Sequence, residues 1–221
     1  MPRVALIDYG SGNLRSAEKA LVEAARQVAG KSGGDWAVDV TLDPERVASA
    51  DRIVLPGVGA FAACWSLLHA RPGLVEAMTE AVKTRGVPFL GVCVGLQLLA
   101  TRGLEFGETP GLDWIPGEVR RIEPLDHALK VPHMGWNALS PGRAHALVAG
   151  EAPGQDIGHM YFTHSYALHA ADPSDVIAWT DHGGPIVAAV ARDNVAGVQF
   201  HPEKSQGRGL KLLGDFLEWR P

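Results

Sequence analysis

The stretch Pro88-Phe89-Leu90-Gly91-Val92-Cys93-Val94-Gly95-Leu96-Gln97-Leu98-Leu99 most constrains what this chain can fold into. A short apolar run ends in Gly-x-Cys-x-Gly, and an apolar, helix-competent segment follows at once. This is the strand–turn–helix pattern of a nucleophile elbow, with cysteine in the place of serine. The flanking glycines let the backbone pass closely without a Cβ clash. Cys93 then stands at the start of a helix, where the dipole and free N–H groups favour a thiolate. Free cysteine is also among the most buried residue types, so core packing is the competing reading of these residues alone.

The rest of the chain supplies strands for such an elbow to sit among. Val4 to Asp8 is a continuous apolar run of the kind found inside a parallel sheet. A tight loop, Tyr9-Gly10-Ser11-Gly12-Asn13, follows, and apolar residues then recur at helical spacing from Leu14 to Val28, with Gly30 as the expected stop. The glycine pattern lacks the third glycine of a dinucleotide fingerprint. Lys31 to Asp35 reads as a loop, Trp36 to Thr41 as a half-covered strand, and Asp43-Pro44 as the cap and first residue of a short helix. Arg52 to Leu55 is a third strand running into the glycine-rich turn Pro56-Gly57-Val58-Gly59-Ala60, and helical patterns follow at 61–68 and 74–85. Ligands bind outside the carboxyl ends of strands in open α/β sheets, so the loops 10–13, 56–60 and 91–95 converge on one edge.

After Leu99 the texture changes to short strand-like runs separated by Pro and Gly: 117–122, 159–168, 176–180 and 186–191. Asp181 to Gly184 and Arg192 to Asn194 read as turns of antiparallel pairs. Val195 to Phe200 is another apolar strand, and an amphipathic helix through Leu210, Leu213, Phe216 and Leu217 closes the chain. The order predicts an α/β fold: an open, mostly parallel sheet with helices on both faces plus an antiparallel extension, in a single domain over residues 1–221.

With 221 residues the chain is long enough to bury a core without staples. A net charge of −5 with scattered basic residues argues against a nucleic-acid partner, and nothing approaches the length of a membrane span. Met1 to Asp8 is too short an apolar stretch for a signal peptide. The only cysteines, Cys64 and Cys93, occur in unrelated contexts, so no disulfide framework is implied and a reducing, cytoplasmic setting is expected. Cys64 shares a helix face with Phe61 and Leu68 and reads as packing. His159, His164 and His169 are spaced so that neighbours point to opposite strand faces, which argues against a metal site; no metal and no cofactor are expected.

The second stretch carrying chemistry is Gly197-Val198-Gln199-Phe200-His201-Pro202-Glu203-Lys204. His201 follows a buried strand, and Pro202 keeps it extended. In an extended segment His201 and Glu203 project to one side, so Glu203 can fix the imidazole while its other nitrogen faces Cys93. Attack on a carbonyl also needs oxyanion donors. Val94 N–H, next after the elbow cysteine, and the Gly57-Val58-Gly59 loop are the candidates.

Taken together, Gly91 to Gln97 and Gln199 to Glu203 resemble the class I glutamine amidotransferases, a family that uses a Cys–His–Glu triad to release ammonia from glutamine. Within it the chain is most similar to the glutaminase subunits of imidazole glycerol phosphate synthase. That narrower match rests on Asp8-Tyr9-Gly10-Ser11-Gly12-Asn13-Leu14, Pro56 to Phe61, Val131-Pro132-His133-Met134-Gly135-Trp136-Asn137 and Tyr161-Phe162-Thr163-His164-Ser165-Tyr166. These stretches follow the family's order along nearly the whole chain. The departure is the polar, glycine-rich segment from Gln27 to Val40, longer than the family's usual turn into the second strand.

The resemblance implies that Cys93, His201 and Glu203 are catalytic and that Gln97 and the backbone around Gly59, His164, Ser165 and Tyr166 grip glutamine. It implies a heterodimer with a (βα)8-barrel cyclase, which uses the ammonia to make imidazole glycerol phosphate and an aminoimidazole carboxamide ribotide in histidine biosynthesis. Trp136 would anchor that interface, with Tyr161, Lys204 and Asn13 beside it. Three rivals stand beside this reading: a glutaminase serving another synthase, a non-catalytic binding module, and a cysteine peptidase or other elbow-type hydrolase.

Overall fold

A computed structural model of the chain describes residues 1–32, 35–148 and 157–221. Its main sheet has eight strands, ordered β2-β1-β3-β4-β14-β13-β12-β9. These are β1 (Arg3–Ile7), β2 (Ala37–Thr41), β3 (Arg52–Gly57), β4 (Phe89–Cys93), β9 (Ser140–Pro141), β12 (Val176–Asp181), β13 (Pro185–Arg192) and β14 (Val195–Val198). The five strands from β2 to β14 run parallel, and β13, β12 and β9 add on antiparallel. Val4 to Ile7 and Phe89 to Leu90 are fully buried, as parallel strands covered on both faces must be.

Two groups of helices flank this sheet. α1 (Leu14–Ser32) packs on α6 (Gln206–Glu218), while α2 (Pro44–Ala48) and α3 (Phe61–His69) pack on α4 (Leu74–Thr79), which continues as a wider π turn through Thr84. Asp43 caps α2 by accepting from Glu45 N–H, with Pro44 in the first turn, as its sequence predicts.

The antiparallel extension holds two smaller sheets. One orders β11 (Tyr166–Ala170), β7 (Gly117–Arg121), β5 (Arg102–Gly103) and β6 (Thr109–Pro110); the other pairs β10 (His159–His164) with β8 (His133–Ala138). The run 159–168 is thus two strands broken at Ser165, and β8 was not anticipated. Its alternation is masked because Met134 and Trp136 are apolar yet exposed.

Three expectations need correcting. Helix α1 does not stop at Gly30 but continues to Ser32, so the long segment 27–40 is mostly helix and strand. Glycine costs a helix only about 1 kcal/mol, which packing on α6 can absorb. Gly33 and Gly34 of the expected loop lie outside the described residues. The helix after the elbow, α5 (Val94–Gln97), is a single turn, because the carbonyls of Leu98, Leu99 and Ala100 that follow it accept from residues 112–115 instead of continuing the helix. Lastly, Pro202 to Lys204 form a 3-10 turn, so Glu203 is not in an extended segment.

Candidate active site

Strand register builds this site. Gly57 pairs with Cys93 across β3 and β4, and Val198 pairs with Val92 across β4 and β14. Three neighbouring parallel strands therefore deliver the glycine loop, the cysteine and the histidine to the same edge.

Cys93 is buried and takes φ 55° and ψ −112°, a strained conformation for a residue with a side chain. The close approach that fixes it depends on Gly95. A Cβ there would lie 1.9 Å from the Leu55 carbonyl oxygen, so the turn of α5 sits directly on β3. Val94 N–H opens that turn and has no carbonyl a full turn before it.

His201 keeps the extended backbone expected before Pro202, with φ −103° and ψ 98°. Its N–H donates to Tyr161 O (2.9 Å), and Ser205 Oγ donates to its carbonyl (2.7 Å) while accepting Tyr161 N–H (3.0 Å). Although Glu203 lies in the 3-10 turn, its Oε1 still accepts from His201 Nδ1 at 2.8 Å, with side chains 2% and 6% exposed. Nε2 is buried without a hydrogen bond of ordinary geometry, and Cys93 is the group on that side that acts on it. Burial opposes a charged ring, but Cys93 and Glu203 outweigh it and raise His201 to about 9.

Beside Cys93 and His201 lies an open cavity of about 350 Å³. Val58, Gly59, Val94 and Gln97 line it, together with His164, Ser165, Tyr166 and Lys204. Glu203, Gly57 and Asn13 stand behind it, around a separate, small cavity. Larger hollows, of about 700 Å³ and 770 Å³, lie in the extension and beside α6, and neither contains Cys93 or His201.

The glycine loop is held from below. Ser11 Oγ accepts Val58 N–H (3.1 Å) and donates to Val58 O (2.7 Å), with Cys64 Sγ 3.2 Å away. Val58 N–H is therefore engaged in this conformation, whereas Gly59 N–H, at φ +106°, has no hydrogen-bond partner among the described residues. Cys64 packs with Phe61 and Leu68 in the core, as expected, and its contact with Ser11 is additional.

Sequence reasoning gave Gln199 no role, yet it is fully buried and its Nε2 lies 3.8 Å from Cys93 Sγ. Gln97 Nε2 donates to Gln199 Oε1 (3.1 Å) and to Tyr166 O (2.9 Å). The signal was a glutamine at an inward position of an apolar strand. Glu105 also lines the cavity, where its Oε2 accepts Phe61 N–H at 2.7 Å. A lone Glu in a loop carried no pattern that marked it.

Trp136 and Tyr161 pair across β8 and β10, edge to face at 6.0 Å, and Lys204 Nζ stands 5.7 Å from the Tyr161 ring. Trp136 is 48% exposed and its neighbour Met134 63%, so Trp136 is not a core residue. Among the described residues no cluster of three or more His, Cys, Asp or Glu could hold a metal ion, and no helix is long and apolar enough to cross a membrane.

Comparison with known proteins agrees with this geometry. The family model "Glutamine amidotransferase class-I" matches residues 5–218. Imidazole glycerol phosphate synthase subunit HisH of Caulobacter vibrioides is 63% identical over 221 residues, covering 100% of both chains. The proteins of the same name from Rhodospirillum rubrum and Brucella abortus are 55% and 54% identical, covering 99% of this chain and 100% of theirs. Among solved structures, a glutamine amidotransferase superposes with a TM-score of 0.65 at 17% identity, covering 97% of each chain. The Trypanosoma brucei CTPS glutaminase domain gives a TM-score of 0.61 at 15% identity, covering 100% of this chain and 96% of that one; at such identities the likeness concerns the fold. Matched over residues 5–218 by this family model and over 99–100% of its length by these subunits, the chain belongs to the class I glutamine amidotransferases and, within them, to the HisH glutaminase subunits of imidazole glycerol phosphate synthase.

Proposed function

We propose that Cys93, His201 and Glu203 hydrolyse glutamine to glutamate and ammonia, in a chain that forms one domain over residues 1–221 and works in the cytoplasm. The observation that carries this reading is the elbow cysteine placed one strand away from a buried His201–Glu203 pair. The Cys93 thiolate attacks the side-chain carbonyl carbon of glutamine, and the C=O electrons move onto oxygen. Val94 N–H and Gly59 N–H stabilise that oxyanion, with Gly57 and Val58 shaping the loop; each donor lowers the barrier by roughly 3 kcal/mol. His201, charged near neutral pH, gives its proton to the departing nitrogen, and ammonia leaves a γ-glutamyl thioester. Water then attacks the thioester carbonyl, losing a proton to His201, and the C–S bond breaks to release glutamate and restore the thiolate. Glu203 holds the ring and balances its charge throughout.

The backbone of Ser165 and Tyr166, with Gln97 and His164 behind it, forms the wall against which the substrate's amino-acid end lies. The partner is a (βα)8-barrel cyclase that consumes the ammonia. Trp136, Tyr161, Lys204 and Asn13, at the margins of the site, form the surface it covers. Glutamine hydrolysis measured with and without the cyclase and its ligand, with Cys93→Ala as control, tests both statements. Turnover that survives in Cys93→Ala, or that never responds to the cyclase, rules the corresponding statement out.

A further inference from the structure

Behind the substrate wall runs a line of polar side chains that the triad chemistry does not use. It begins at Asn137 on β8. Asn137 Oδ1 accepts Ala138 N–H (2.8 Å) and its Nδ2 donates to Asp181 O (2.7 Å), so two backbone groups fix which end of the carboxamide is which. The second Nδ2 hydrogen then points at His133 Nε2, 3.0 Å away. That nitrogen must accept, which leaves the His133 proton on Nδ1. Nδ1 faces His164 Nε2 at 3.0 Å, and by the same logic His164 carries its proton on Nδ1, which donates to Tyr166 O at 2.9 Å.

The Tyr166 carbonyl receives a second bond from Gln97 Nε2, whose other hydrogen goes to Gln199 Oε1. This turns the Gln199 amine toward Cys93 Sγ. Every donor in the sequence from Asn137 to the thiol is thus assigned without choice. Reversing it would set an Asn137 N–H against Ala138 N–H and two lone pairs against each other at Tyr166. His133 pairs with His164 in the β8–β10 register and stacks on Phe162 and His182, with centroids 4.7 Å and 4.3 Å away. Burial, with the neighbouring His164 and His182, pushes His133 down to about 3; burial likewise takes His164 to about 4, despite its bond to Tyr166. Both rings are neutral near neutral pH, as the relay requires.

We propose that Asn137 is a positioning residue: its carboxamide fixes His133 and His164 as Nδ1–H tautomers, and these hold the Tyr166 carbonyl to which the Gln97–Gln199 pair on Cys93 is tied. The proposal rests on Cys93 as the reacting group but not on glutamine or on a partner. It explains why two buried histidines stand behind a site that uses a third, and why Gln199 presents a donor to the sulfur.

The test uses the full chain with 15N-labelled histidine, read by long-range 1H–15N correlation near neutral pH, together with the rate of Cys93 alkylation by iodoacetamide. In the wild type His133 and His164 should both show a protonated Nδ1 and a bare Nε2. Asn137→Asp, which replaces the donor with an acceptor, should move the His133 proton to Nε2 or charge the ring. It should also slow alkylation about tenfold, the rate equivalent of one hydrogen bond to a charged group. Asn137→Ala removes the donor without adding a charge and should leave His133 exchanging between tautomers. An Nε2–H tautomer in the wild type overturns the proposal, and needs no variant that folds. So does a tautomer change with no change in alkylation, or variants that keep both wild-type tautomers. Because iodoacetamide reports on the thiol alone, failure of the glutaminase reading would leave this result standing.

Discussion

Gly57 lies directly across from Cys93 in the parallel register of β3 and β4, at the edge where the proposed oxyanion donors meet. A Cβ on Gly57 would come within 2.8 Å of Gly95 N and 3.0 Å of the Val94 Cβ. Gly57→Ala should therefore push the first turn of α5 away and displace Val94 N–H from the developing oxyanion. The expected cost is on the order of a hundredfold in kcat, the usual effect of losing one such donor, with a smaller change in KM. Steady-state kinetics with the cyclase present checks this. Wild-type turnover in Gly57→Ala would falsify Val94 as a donor.

The proton on His201 links chemistry to stability. Its native value, raised to about 9 from an ordinary 6.5, means the folded state holds a proton that the unfolded chain releases earlier. The stability gained is complete below pH 6.5 and is lost as pH rises through about 9. Glu203→Gln keeps the hydrogen-bonding shape but removes the charge that supports the cation. Its His201 should titrate lower, and its urea midpoint should fall less steeply over that same interval than the wild type's. Parallel pH profiles for the two proteins would show that Glu203 does not hold the charge.

Much of this was legible in the sequence because strands buried on both faces read as plain apolar runs. Val4 to Ile7, Ile53 to Leu55 and Phe89 to Val92 are of this kind, and loops at their ends must share an edge. The candidacy of Cys93 and His201 rests on that edge and on the Gly-x-Cys-x-Gly pattern, that of Glu203 on its spacing from His201, and the triad roles of all three on the family resemblance as well. What escaped had no local signature. Gln199 matters because it meets Gln97 from a segment about a hundred residues away, and His133 matters because β8 pairs with β10. The His201–Glu203 bond forms although Glu203 is not in an extended segment: His201, still extended, caps the 3-10 turn that carries Glu203.

The grip of Ser11 on Val58 sets the resting shape of the glycine loop. Its hydroxyl is both acceptor for Val58 N–H and donor to Val58 O, so one side chain holds the two peptide groups that flank Val58. Ser11→Ala removes both bonds at a cost of about 1 kcal/mol each. Freed of them, the Val58 amide becomes available to the cavity, and glutamine hydrolysis without the cyclase should rise, in kcat rather than KM. The ratio of activities with and without the partner should shrink. An unchanged ratio would mean that the loop is governed by some contact other than Ser11.

Trp136 offers the most direct test of the partner surface. It is half-exposed beside Met134, braced by Tyr161, and contributes little to the core, so replacing it should leave folding nearly intact. A large aromatic side chain at the centre of a covered surface is the kind of residue whose truncation costs about 2 kcal/mol or more of binding, or roughly thirtyfold in Kd. Trp136→Ala should weaken association with the cyclase by that amount, measured by calorimetric titration, while its urea midpoint stays close to that of the wild type. The same substitution should lower cyclase-stimulated glutamine turnover at limiting partner and recover it at saturation, because it removes affinity and not chemistry. Unaltered affinity would remove Trp136 from the interface, and a loss that saturating cyclase cannot restore would place it in the coupling between the two subunits.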